Sequence, residues 1–112
     1  MSDYELGFLE SALKEWNSLD NSIRREFEKK LIERLQNPSI PSSALTGSLR
    51  NCYKIKSQRL GYRLTYLVEE SSKILIVLAI GKRERSAVYE TTAMRLSGLL
   101  EGKVKKKTPP TK

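Results

Sequence analysis

Apolar residues recur along the first third of this chain at helical spacing and, past residue 50, at the spacing of strands. Tyr4 to Phe8 alternates weakly and predicts a first strand or an extended entry segment. Leu9, Ala12, Leu13, Trp16 and Leu19 then form one stripe of an amphipathic helix. Asp20-Asn21-Ser22 breaks that stripe and supplies cap-type side chains for a second helix, whose Ile23, Phe27, Leu31 and Leu35 recur every four residues. Pro38 ends it. So short a turn between two helices predicts an antiparallel helical hairpin.

Residues 37–48, rich in Pro, Ser and Gly, read as a connecting loop. From Asn51 the period is two: Tyr53 and Ile55 alternate with Cys52, Lys54 and Lys56. After a turn near Gly61, Tyr62, Leu64, Tyr66 and Val68 alternate with Arg63, Thr65 and Leu67. Lys73 to Ile80 is apolar on both faces, as a central strand is. A last helix is predicted from about Ser86 to Leu100 on Val88, Thr92, Leu96 and Leu99/Leu100. The expected fold class is α+β: a helical hairpin on one face of a twisted, mainly antiparallel sheet of about four strands, followed by a C-terminal helix. The pattern bounds one domain over 1–101 and a flexible basic tail over 102–112. Since strand faces alternate, Lys54, Lys56 and Arg63 share the face opposite the apolar one, and that face is expected to be free of helices.

Charge sharpens the picture. Net charge is +8, but residues 1–49 hold 6 basic and 8 acidic side chains, whereas residues 50–85 hold 9 and 3. The positive potential belongs to the sheet half, as for a surface that meets phosphate. A basic surface kept for solubility is the plainer alternative. One cysteine, an acidic start and no long apolar run point to a reduced cytoplasmic protein.

The composition excludes several chemistries. Without histidine the chain builds neither a histidine triad nor a paired-histidine ribonuclease. The sheet half has no carboxylate cluster for Mg²⁺, Glu69 and Glu70 falling at a turn, and isolated Gly47 and Gly81 make no phosphate loop. Neither metal nor cofactor is expected. Cys52 has no base partner and reads as a small strand residue. What remains is a cluster of cations without acids, which is costly unless an anion occupies it. GKRERSAVY adds Arg83, Arg85 and Tyr89 after the central strand. Arginine forks, lysine charges and an aromatic ring together suit a nucleotide.

The stretches ALKEW (12–16), KKLIERLQNPSI (29–40), LTGS (45–48), CYKIK (52–56), GYRLTY (61–66) and GKRERSAVY (81–89) resemble the RelE toxins of bacterial toxin–antitoxin pairs, in family order over roughly residues 3–96. The resemblance implies an endonuclease that cuts messenger RNA in the ribosomal A site. In that reaction the 2′-hydroxyl attacks its own phosphate in line, leaving a 2′,3′-cyclic phosphate and a 5′-hydroxyl. By resemblance the catalytic residues are Lys54, Lys56, Arg63, Arg83 and Tyr89, with Arg50, Arg59, Lys82 and Arg85 as RNA-binding cations. Implied partners are a RelB-like antitoxin, the 30S A site with its ribosomal RNA, and mRNA, with operator DNA bound through the antitoxin. Where family members often carry an arginine in the loop, this chain has Thr46, and Arg50 is the candidate substitute.

Roles follow from charge. Arg63 and the lysines stabilise the non-bridging oxygens, Tyr89 orients a base, and Arg83 neutralises or protonates the leaving oxygen. A lysine of ordinary pKa is neutral in only about one molecule in 2,500 at pH 7. Crowding among cations favours the neutral form of one, leaving both Lys54 and Lys56 as candidate bases. Weak intrinsic chemistry fits dependence on a ribosome to impose geometry. Two other readings stay open: a non-nuclease toxin of this fold that poisons DNA gyrase, and a catalytically silent RNA-binding module.

Overall fold

The computed structural model of the protein describes residues 4–47, 49–57, 61–82, 87–100 and 106–107. Strand β1 (Glu5–Leu9) runs directly into helix α1 (Glu10–Asn17), Leu9 being the extended residue at the junction. The Trp16 ring meets the Phe8 ring edge-on at 5.3 Å, pinning α1 over the strand it follows. Helix α2 (Asn21–Gln36) starts as the cap residues predict. The Asp20 carboxylate accepts from the Ser22 amide at 3.1 Å and its hydroxyl at 2.6 Å, and these bonds hold Asp20 below the usual carboxylate range. Arg24 reaches back to the Trp16 and Leu19 carbonyls, both at 3.3 Å, satisfying orphan acceptors where α1 ends and closing the hairpin.

A short 3₁₀ turn (Pro41–Ser43) leads to β2 (Cys52–Lys56), β3 (Tyr62–Glu69) and β4 (Ile74–Lys82), which pair antiparallel. The sheet order adds β1 beside β4 in parallel, so the apolar β4, buried from Leu75 to Ile80, lies inside the sheet as its pattern predicts. Helix α3 (Ala87–Leu100) follows. Of the basic segment 102–112, the described part, β5 (Lys106–Lys107), pairs antiparallel with Leu9 and Phe8, and the remainder lies outside the described residues.

The predicted apolar face is the one the helical hairpin covers. Tyr66, fully buried, donates to the Pro38 carbonyl at 2.6 Å and accepts from Arg34 of α2 at 2.8 Å, while its ring stacks on Tyr53. The opposite face, however, is not free of helices. The Thr65 and Thr92 hydroxyls meet at 2.6 Å, and Val88 lies 3.9 Å from where a β-carbon on Gly81 would sit, so α3 rests on it. The cause is a row of small side chains: Thr65, Ala79 and Gly81 leave room for a helix, although threonine reads as polar in the sequence.

Candidate active site

Strand register gathers the hairpin cations. Lys56 faces Arg63, which faces Gly81; one row along, Lys54 faces Thr65, which faces Ala79. The Ser57 amide donates to the Tyr62 carbonyl and the Val68 amide to the Asn51 carbonyl. The odd-numbered residues of β2 therefore form the hydrogen-bonded pairs. Lys54–Thr65 and Lys56–Arg63 are the closer, non-hydrogen-bonded kind, with α-carbons about 4.5 Å apart. Helix α3 covers the β3–β4 side of both rows through Val88 and Thr92, leaving Lys54 half-buried and Lys56 exposed on the β2 side.

Arg63 is the unusual member. It is only 8% exposed, yet among the described residues its guanidinium makes one hydrogen bond, to the Tyr62 carbonyl at 3.2 Å, and no ion pair. A five-donor cation with most donors unspent among the described residues is suited to receive an anion. Thr65, beside Lys54, has its hydroxyl committed: Thr92 gives its proton to the Val88 carbonyl at 2.6 Å, which leaves Thr65 as donor to Thr92.

The edge of β2 is closed by two more cations. Arg34 donates to the Lys54 carbonyl at 3.4 Å and to the Ser43 hydroxyl at 3.2 Å, and Lys30 donates to the Lys56 carbonyl at 2.8 Å. The Leu45 amide takes the Cys52 carbonyl at 2.9 Å. Each outward carbonyl of the edge strand is thus satisfied; Arg34 adds a positive charge next to Lys54, while Lys30 also pairs with Glu26 at 3.5 Å. Cys52 is fully buried and burial pushes its thiol up to about 11, so at neutral pH it stays protonated and is no nucleophile.

The remaining predicted residues are placed unevenly. Tyr89, half-buried in the first turn of α3, follows Val88, the residue that packs over Gly81. Lys82 pairs with Tyr62, its ammonium 6.0 Å from that ring, and by register belongs to the face away from Arg63. Arg50 is exposed at the other end of β2 from Lys56. Arg59, Arg83 and Arg85 lie outside the described residues. Sequence reasoning missed the Thr65–Thr92 contact and a bidentate ion pair between Glu15 of α1 and Arg95 of α3, at 3.0 and 2.8 Å. For the second, the only signal was that Glu15 falls inside the ALKEW stretch.

Residues 6–87 match the family described as the ParE toxin of type II toxin–antitoxin systems, which sets the class of protein. Within that class, a RelE-like toxin protein of Escherichia coli is 47% identical over 93 residues, covering 83% of this chain and 97% of that protein. The mRNA interferase toxin RelE of Escherichia coli is 44% identical over the same shares. A free-state structure of Escherichia coli RelE carrying two arginine-to-alanine changes superposes with a TM-score of 0.78 at 42% identity, over 86% of this chain and 99% of that one. A chain of the intact Escherichia coli RelBE toxin–antitoxin complex gives 0.70 at 44% identity, over 73% and 99%. The chain belongs to the RelE family of toxins.

Proposed function

We propose that this protein is a ribosome-dependent messenger RNA endonuclease, an mRNA interferase that inhibits translation by cutting mRNA in the ribosomal A site. The observation that carries the reading is the buried guanidinium of Arg63, set beside Lys56 and one row from Lys54 and in no ion pair among the described residues. A phosphate undergoing in-line attack by its 2′-hydroxyl gathers negative charge on its non-bridging oxygens, and Arg63 offers a fixed fork for them. Lys54 or Lys56 takes the 2′-hydroxyl proton. Tyr89, in the first turn of α3, orients the base, and Arg83 serves the leaving 5′-oxygen. The products are a 2′,3′-cyclic phosphate and a 5′-hydroxyl.

Relatives named as mRNA interferase toxins, and a solved toxin–antitoxin complex, support the same reading. It includes a RelB-like antitoxin that neutralises the toxin in the cytoplasm and carries the complex to operator DNA. No helix among the described residues is long and apolar enough to cross a membrane. A basic face attracts an acidic, extended partner as readily as it attracts RNA.

The test compares one messenger RNA free in solution and bound to ribosomes with an empty A site, with both new ends mapped. Cutting confined to the ribosome-bound message, with 5′-hydroxyl ends, is the expected result. Equal cutting of free RNA contradicts the dependence on borrowed geometry. No cutting by a folded protein returns the gyrase and silent-binder readings.

A further inference from the structure

Strand β1 stops pairing with β4 at Phe8–Val77, but β4 continues to Lys82. Its partners across β3 show a bulge at this point: Thr65 pairs with Ala79 and Tyr66 with Val77, so Leu78 is the extra residue. Beyond β1, the Leu78 carbonyl and the Ile80 amide face a side with no strand among the described residues. Two side chains from different helices take that place. Arg95 of α3 donates to the Leu78 carbonyl at 2.8 Å, and Glu15 of α1 accepts from the Ile80 amide at 3.0 Å. The two then join each other in the bidentate pair, so four hydrogen bonds tie α1, the bulge and α3 together.

This contact sets register in a way that apolar packing does not. Val88 and Leu96 tolerate a sliding helix, whereas a planar fork matched to one carboxylate and one carbonyl admits a single position along β4. Arg95 lies six residues after Tyr89 on the same helix, about 9 Å along its axis. The Thr65–Thr92 hydroxyl contact lies between them and limits rotation. A helix held at both points keeps Tyr89, one residue after the Val88 that packs over Gly81, at one place relative to the sheet.

We propose that Glu15 and Arg95 are a positioning pair for the cleavage reaction: by fixing α3 on the bulge of β4 they hold Tyr89 where the scissile nucleotide needs it. The proposal rests on the ribonuclease reading. Neither residue touches RNA; both act through Tyr89.

The test is a double-mutant cycle on ribosome-bound messenger RNA, with single-turnover cleavage and ribosome affinity measured separately. Arg95→Ala slows cleavage roughly 10- to 100-fold, the usual cost of a misplaced group, with affinity changed less than about threefold. In a Tyr89→Ala background the same change costs nothing further, because the residue it positions is gone. Glu15→Gln keeps an acceptor for the Ile80 amide while removing the charge; it gives a smaller loss in the same pattern and serves if Arg95→Ala does not fold. Losses that multiply in the double variant, or wild-type cleavage by folded Arg95→Ala and Glu15→Gln, overturn the proposal and leave the ribonuclease reading standing. A wild-type protein that cuts no ribosome-bound message overturns that reading, and the proposal with it.

Discussion

Lys56 stands directly opposite Arg63 across the β2–β3 pair, and neither meets a carboxylate among the described residues. Like charges so placed oppose folding by roughly 0.2–1 kcal/mol. Lys56→Gln is therefore expected to melt higher than the wild type in low salt. The gain shrinks as screening lengths fall to a few ångströms near 1 M. The same variant cuts ribosome-bound messenger RNA on the order of 10²-fold more slowly. Thermal melts at two salt concentrations, paired with cleavage rates, check both halves.

Arg63→Met is expected to separate folding from function more sharply. A buried guanidinium with one carbonyl partner among the described residues contributes little to stability, and an apolar side chain of similar length fills its place at no cost or with a gain. Denaturant unfolding should show stability equal to or above wild type while cleavage disappears. A variant that unfolds instead shows Arg63 to be structural.

Tyr66→Phe makes the opposite trade. It strands the Pro38 carbonyl and one Arg34 donor inside the protein, at a cost of about 1–3 kcal/mol. Burial raises the Tyr66 hydroxyl, with Arg34 opposing, so that hydroxyl remains a donor at neutral pH. The midpoint of unfolding drops, and cleavage by the folded fraction is unchanged.

Cys52 predicts an alkaline limit. Its thiol is raised by burial from an ordinary value of 9.0 to about 11, so between those values the unfolded chain has released a proton that the folded chain still holds. Stability from this group is whole below pH 9 and declines toward pH 11, by about 1.4 kcal/mol per unit. Cys52→Ala should lose that slope. The native thiol should also resist alkylation at pH 7 until the protein is denatured.

Much of this arrangement was legible in the residues themselves. Helical spacing marks α1 and α2, and the Asp20 cap marks the turn between them. Strict alternation in β2 and β3 puts Lys54, Lys56 and Arg63 on one face because a period of two leaves no other choice. Legibility fails where a helix docks through polar groups. Thr92 falls on the predicted stripe of the last helix, but its hydroxyl contact with Thr65 does not show there, and Arg95, which ties α3 to β4, lies off that stripe. Lys82 is grouped with Arg83 and Arg85 by its neighbourhood in sequence, yet parity with Ile80 sends it to the other face. Arg50 is separated from Lys56 by the length of a strand, a distance that only register reveals.

The pairing of β1 with β4 joins residues roughly seventy positions apart, Glu5 with Ile74 among them. During synthesis, β1 and both hairpin helices leave the ribosome long before the strand that β1 needs. Until Lys82 has emerged, β3 has one neighbour, β1 has none of its parallel partner, and α3 has no surface to rest on. A nascent chain therefore lacks the α3 wall of this face until nearly its whole sequence is made. Arg63 is translated before α3, so a chain interrupted between β3 and α3 carries the hairpin cations without the helix that covers their rows.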